Sequence, residues 1–290
     1  MPRLWQNAPV HLPLMLLSGL LCLAMPAVAA AIIHRRTGAR LSLWGWGALA
    51  FVLSQVVHIP LNLGVAQLFS KGLLPSPSPG VKVWLLPLAL GLSAGLCEEP
   101  ARWLFLRWRR LSDVRTWDRG VMLGLGHGGI EAVIVGLSIL SSAVSLHLLR
   151  TQGMAALGVP EELTGAVQAQ LDQVFGAPPL MMLVGAAERL MAMTCHVAMS
   201  LLVMRAVRDR RPRWLAASIA LHTALNAGAV WWVQAGHPMG AEGFILVMAV
   251  LSLGLILALR DPPSAPGQPT PAVQPITLQR VPLTGTREAG

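Results

Sequence analysis

Charge is scarce in this sequence. Only 12% of its 290 residues are Asp, Glu, Lys or Arg, about half the share usual in a globular domain. Together with 54% hydrophobic residues and a mean hydropathy of +0.60, that scarcity excludes a soluble globular domain. Disorder along the chain is excluded as well, because disordered segments are poor in apolar residues. Cysteine is nearly absent. The three that occur, Cys22, Cys97 and Cys195, all lie inside apolar runs and cannot staple a disulfide scaffold. They read as small buried hydrophobes. No internal repeat is visible.

Apolar length is abundant instead. Stretches at roughly 10–33, 41–69, 81–105, 120–149, 179–204, 213–234 and 243–259 are each long enough to cross hydrocarbon, which needs about 20 residues per helix. The fold expected is therefore all-α and polytopic, with about seven transmembrane helices. Two helices in 1–80 precede a core at 81–234, a last helix lies in 235–260, and a proline-rich tail, read as disordered, fills 261–290. Residues 14–31 end in small residues like a cleavable leader, but an uncleaved first helix fits the charge pattern better.

The formal charge of +9 is placed unevenly. Arginines crowd alternate loops: Arg35, Arg36 and Arg40; then Arg107, Arg109, Arg110, Arg115 and Arg119; then Arg205, Arg208, Arg210, Arg211 and Arg213. By the positive-inside rule these loops are cytoplasmic, the N-terminus is outside and the tail is inside. Control of topology and contact with anionic lipid account for the basic loops, so nucleic acid is not an expected partner. Tryptophans fall at both expected boundaries, as in an aromatic belt. On the outer side, 150–178 is the one sizeable loop, and Glu161 to Phe175 reads as a short amphipathic helix, an interfacial lid or brace. His11, His34, His147 and His237 lie near interfaces and are expected to be solvated, whereas His58 reads as a hydrogen-bonded packing residue.

Against this background, ionisable residues inside the apolar runs call for a reason, since each costs at least about 2.5–3.5 kcal/mol near mid-membrane. The third run carries Glu98, Glu99 and Arg102; the fourth His127 and Glu131; the fifth Glu188, Arg189 and His196; the sixth His222 and Asn226. Counted from the nearest basic loop, Glu98, Glu99, His127, His196 and His222 all lie about eight or nine residues in, hence about 12–14 Å deep at 1.5 Å per residue. They form one layer. Arg102 shares the face of Glu98 one turn away and is expected to pair with it; Glu131 and Asn226 lie one turn deeper on the faces of His127 and His222. Glu188 and Arg189 read as a structural ion pair. Glycines 124, 126, 128 and 129 around His127 allow another backbone to come close. Pro100 is expected to kink the third helix or free a carbonyl.

A carboxylate beside an arginine can take a proton from water, neutral imidazoles can orient that water, bind a metal or protonate a leaving amine, and an amide can donate to an oxyanion. Peptide-bond hydrolysis uses those roles. Residues Glu98-Glu99-x-x-Arg102, His127-x-x-x-Glu131, Arg189 to His196 and His222-x-x-x-Asn226, on successive apolar runs, resemble the CAAX-protease and bacteriocin-processing superfamily of intramembrane proteases. The chain is most similar to its YhfC-type branch, described as intramembrane metalloproteases, with PrsW-type proteases as relatives. The likeness covers 81–234. It implies that Glu98 or Glu99 activates the attacking water, and that His222 and Asn226 position water and stabilise the oxyanion. Two departures stand out: two residues rather than three separate Glu99 from Arg102, and the second motif has His127 followed by Glu131 instead of an aromatic residue followed by histidine. Glu131, His127 or His196 could fill that second role.

A divalent metal such as zinc is compatible with three histidines at one depth. No HExxH motif occurs, however, and metal-free glutamate catalysis is chemically sufficient and is the preferred expectation. The partners expected are the lipid bilayer and a membrane-embedded protein or lipidated peptide as substrate. A proton-coupled transporter or channel is the alternative, opposed by the absence of an inverted repeat and of an outer-half relay beyond Glu188. A non-catalytic membrane scaffold is the third possibility.

Overall fold

The computed structural model describes residues 8–108 and 115–261. Residues 262–290 of the proline-rich tail, Trp5, Arg109 and Arg110 lie outside the described residues. Eight α-helices follow one another: α1 (Ala8–Thr37), α2 (Ser42–Ser70), α3 (Pro79–Arg107), α4 (Trp117–Gln152), α5 (Glu161–Gly176), α6 (Val184–Arg208), α7 (Pro212–Gln234) and α8 (Pro238–Ala258). A 3₁₀ turn, Pro179–Leu183, leads into α6. Among the described residues there is no strand. Pro79, Pro212 and Pro238 open their helices, where a missing N–H costs nothing. Helix α3 runs on through Pro100 without a break.

The chain is a polytopic all-α membrane protein. Six helices are long and apolar enough to cross a membrane: α1, α2, α3, α4, α6 with its leading turn, and α8. The seventh expected span, 213–234, forms α7 but is not among them. Ser218, His222, Thr223 and Asn226 lower its apolar character, and its neighbours α3, α6 and α8 cover those residues where they are buried. Helix α6 is the axis of the bundle. Its span is 78% buried against 17–33% for the other five, with α1, α3, α4, α7 and α8 packed around it.

Close crossings explain the glycines near His127. A Cβ on Gly126 would lie 1.9 Å from the carbonyl oxygen of Trp44, and one on Gly47 would lie 2.0 Å from that of Leu123, so α2 and α4 meet backbone to backbone. Gly124 and Gly128, one turn apart, meet α6 at Val197 and at Met193 and His196. Helix packing is thus their whole explanation, and it clamps His127 between α2 and α6. Gly126→Ala is expected to destabilise the protein by about 1–3 kcal/mol through overpacking against a backbone that cannot swing away; a thermal melt in detergent matching wild type would refute this.

The basic loops gather at one end of the bundle. Trp46 of α2 packs edge-on to Trp108 beyond α3 at 5.3 Å. Trp117 at the start of α4 donates its indole N–H to Ile256 O at 2.8 Å, near the end of α8. Arg115 is buried in the loop before α4; burial holds its guanidinium below the usual pKa, and Arg107 and Arg210 add repulsion. The opposite end carries Trp84 stacked on Trp231 at 5.2 Å, as the belt pattern predicts. Asp261 ties the basic end together: it accepts from the Trp117 backbone N–H at 3.0 Å and from Arg208 Nη1 at 2.8 Å. It serves α4 as an N-cap supplied from the other end of the sequence, since Thr116 offers none. Asp261→Ala should cost about 0.5–2 kcal/mol, measurable as a lower melting temperature.

At the far end, α5 forms where the amphipathic pattern places it, with Leu171 and Phe175 buried against Leu12, Met15 and Ala143 of α1 and α4. His11 departs from expectation. It is fully buried, bonded to Ala177 O at 2.8 Å and edge-on to Phe175, because α5 folds back over it.

Candidate active site

The polar layer read from the sequence comes together. Helices α3, α4, α6 and α7 bring Glu98, Glu99, Arg102, His127, His196 and His222 into one buried cluster, and each of the six is at most 5% exposed. Each helix contributes the face that its small residues let approach the others: Gly91 and Gly95 seat α3 on α7, as Gly124 and Gly128 seat α4 on α6.

The two adjacent glutamates have different surroundings. Glu99 is wholly enclosed. Its Oε1 accepts from Arg102 Nη1 and His222 Nδ1, both at 2.8 Å, and its Oε2 from Arg102 Nη1 and Ser218 Oγ, both at 2.6 Å. All four lone-pair directions are used. Glu98 is held less tightly. Its Oε1 accepts from Gln55 Nε2 at 3.2 Å and its Oε2 meets His127 Nε2 at 3.0 Å, while His222 Nε2 stands 3.9 Å from Oε2 and His58 Nδ1 3.9 Å from Oε1. The expected partner of Arg102 is therefore corrected. Arg102 pairs with Glu99, because Ser218 and His222 draw Glu99 and Arg102 to the α7 side while Glu98 turns toward α2 and α4.

Beyond the layer, Glu131 of α4 does not bond to His127. Its Oε2 accepts from His196 Nε2 at 2.8 Å and its Oε1 from Arg189 Nη1 at 2.7 Å, and Arg189 Nη2 also binds Glu188. The Glu188–Arg189 pair is thus joined to the centre through Glu131 and His196. His196 in turn presents Nδ1 to Arg102 Nη2 at 3.3 Å. Since a carboxylate only accepts, the proton of neutral His196 sits on Nε2 and leaves Nδ1 a lone pair; by the same logic His222 carries its proton on Nδ1. Asn226, one turn along from His222, is half-buried, and no hydrogen bond reaches its amide among the described residues.

Gln55, Ser218, Asn62 and Ser93 escaped the sequence reading, whereas His58 is hydrogen-bonded as expected. Ser218 had a usable signal, lying four residues before His222 and so on the same face. Gln55 had one as well, since Gln55, His58 and Asn62 are polar residues spaced three and four apart on a largely apolar helix.

Glu98, His127 and His196 each offer a donor atom within 4.8 Å of the others. Two imidazoles and a carboxylate are a donor set of catalytic zinc sites. Three further observations fit a cation. His127 Nδ1 is buried without a partner. His196 has the carboxylate on its far nitrogen that metal-binding histidines use to fix their orientation. Finally, among the described residues the four carboxylates of Glu98, Glu99, Glu131 and Glu188 interlock with two guanidinium groups, Arg102 and Arg189, and with the three histidines, a carboxylate-rich setting for a cation.

Fold and site thus define a polytopic helical membrane protein whose buried carboxylate–imidazole centre suits a divalent cation. The family model for the YhfC intramembrane metalloprotease matches residues 21–245, and the chain belongs to that family. It is 31% identical over 255 residues to the uncharacterized membrane protein YhfC of Bacillus subtilis (strain 168), across 86% of this chain and 95% of that one. No solved structure matches it. A metal-free site was the preferred expectation from sequence; the family and the buried Glu98, His127 and His196 donor set both point to a metal instead.

Proposed function

We propose that the protein is an intramembrane endopeptidase that hydrolyses a peptide bond of a membrane-embedded or membrane-tethered substrate near the basic, cytoplasmic end of the bundle. The orientation is the one the arginine loops favour, with the N-terminus outside. One observation carries the reading: Glu98 is a carboxylate with binding capacity to spare, set among three histidines in a buried layer.

Glu98, His127 and His196 would hold the divalent cation. When bound, it supplies a more acidic water and a polarised carbonyl. Glu98 would share its two oxygens between the cation and the attacking water, whose proton it takes. His222 Nε2, 3.9 Å from Glu98 Oε2, is free because Nδ1 is committed to Glu99, and it carries the proton on to the leaving amine. Glu99 is a positioning residue: it fixes the tautomer of His222 and neutralises Arg102. Glu131, held by Arg189, orients His196, a contact that supports giving the second-motif role to His127 and His196 with Glu131 behind them. The unpartnered amide of Asn226 donates to the oxyanion.

The test is a proteomic comparison of membranes holding wild type or Glu98→Ala, each with and without a chelator. A membrane protein or lipidated peptide should be truncated only by chelator-free wild type. Identical fragment patterns in all four samples would overturn the proposal.

A further inference from the structure

From the open side of Glu98 a line of polar side chains leads into the apolar half of the bundle. Gln55, which donates to Glu98, receives His58 Nδ1 on its Oε1 at 3.2 Å. Asn62 Nδ2 donates to His58 Nε2 at 3.0 Å, and Ser93 Oγ of α3 lies 3.3 Å from the same nitrogen. Gln55, His58 and Asn62 are spaced three and four apart, so they share one face of α2. That face runs along α3 away from the basic end. Its surroundings are lipid-facing: Val56, Val57, Ile59, Leu61, Leu92 and Leu96 are all exposed.

The line is more than a zipper between two helices, because its hydrogen bonds do not close. With Nδ1–H spent on Gln55, neutral His58 can only accept at Nε2, where both the Asn62 amide and the Ser93 hydroxyl arrive. The Ser93 hydroxyl is already directed to Leu90 O at 2.9 Å. No donor reaches Asn62 Oδ1 among the described residues. All four side chains are half-buried, reachable from the seam between α2 and α3.

Polar groups with unspent capacity, facing hydrocarbon and ending on the reactive carboxylate, match one need of the proposed reaction. A substrate helix must unwind to expose its bond, and each backbone group freed in lipid needs a new partner. We propose that the α2–α3 seam is the substrate channel: an extended stretch of substrate backbone lies along Asn62, His58, Ser93 and Gln55 and is delivered sideways to Glu98. This rests on the protease reading but can fail independently of it.

The test uses the full-length Glu98→Gln chain in the membranes of the expressing cell, with the photoreactive p-benzoylphenylalanine replacing Val65, Leu92 or Leu96, three exposed positions at successive depths along the seam. After irradiation, mass spectrometry should find the same peptide segment captured from all three positions. Its attachment point should advance along the segment in that order. Adding His58→Leu and Asn62→Leu should abolish the ordered series; Asn62→Ser, which keeps a polar contact but removes the free carbonyl, guards against misfolding and should weaken capture several-fold at an unchanged melting temperature. Adducts with lipid alone, adducts without order, or an ordered series indifferent to these changes would overturn the channel. Restoring Glu98 should truncate the captured segment. Ordered capture without truncation would keep the channel and refute the protease.

Discussion

Replacing Glu99 with alanine is expected to unfold the protein rather than merely silence it. Arg102 is completely buried, and Glu99 is the carboxylate paired with it, at 2.6 Å. Of its other two nitrogens, Nη2 touches only His196 Nδ1 at 3.3 Å and Nε is buried without a partner. Removing one partner of a buried ion pair strands the other charge, at a cost of about 3–5 kcal/mol. His222 Nδ1 loses its acceptor in the same step, a buried group left unsatisfied at about 1–3 kcal/mol, whereas Ser218 Oγ keeps Met199 O at 3.2 Å. These costs share one network and do not simply add, yet together they approach the 5–15 kcal/mol that holds a typical domain folded. Thermal unfolding in detergent and resistance to added protease should both collapse for Glu99→Ala. A variant that melts with wild type would show that Glu99 is not the structural hub of the site.

Its neighbour is expected to behave in the opposite way. Glu98→Ala removes hydrogen bonds only from Gln55 and His127, both neutral and neither the sole support of a buried cation. The fold should survive, with a melting temperature lowered only by the one buried N–H that His127 Nε2 leaves unsatisfied, about 1–3 kcal/mol. Cleavage should fall by about 10²–10⁴-fold, the usual contribution of a positioned proton acceptor. Bound metal, measured per chain by elemental analysis, should fall too, because the donor set keeps only His127 and His196. Cleavage at the wild-type rate by Glu98→Ala would remove Glu98 from the chemistry. The sequence treats these adjacent glutamates as equivalents, yet their expected phenotypes are loss of function in one and loss of fold in the other.

That contrast shows where a one-dimensional reading stops. On α3, Arg102 is three residues from Glu99 and four from Glu98, so the two carboxylates lie about 60° and 40° from it around the helix. Helix geometry alone permits either pair and slightly favours the wrong one. The choice is made by α7, which supplies Ser218 and His222 to Glu99, and by α2 and α4, which supply Gln55 and His127 to Glu98. Glu131 shows the same limit. Its place one turn from His127 is legible, but its binding to His196 and Arg189 depends on α4 crossing α6 at Gly124 and Gly128.

What the sequence determined by itself was everything that follows from hydropathy and one-dimensional spacing. Scarce charge and long apolar runs meant a helical membrane protein, alternate arginine loops met at one end, and the few ionisable residues at equal depth formed one layer. Depth is legible because rise per residue is constant along a helix. Azimuth between helices is not, because it depends on how small residues such as Gly47 and Gly126 let backbones approach. The tertiary structure therefore decided which glutamate is locked and which is free, and that polar residues on α2 reach the centre.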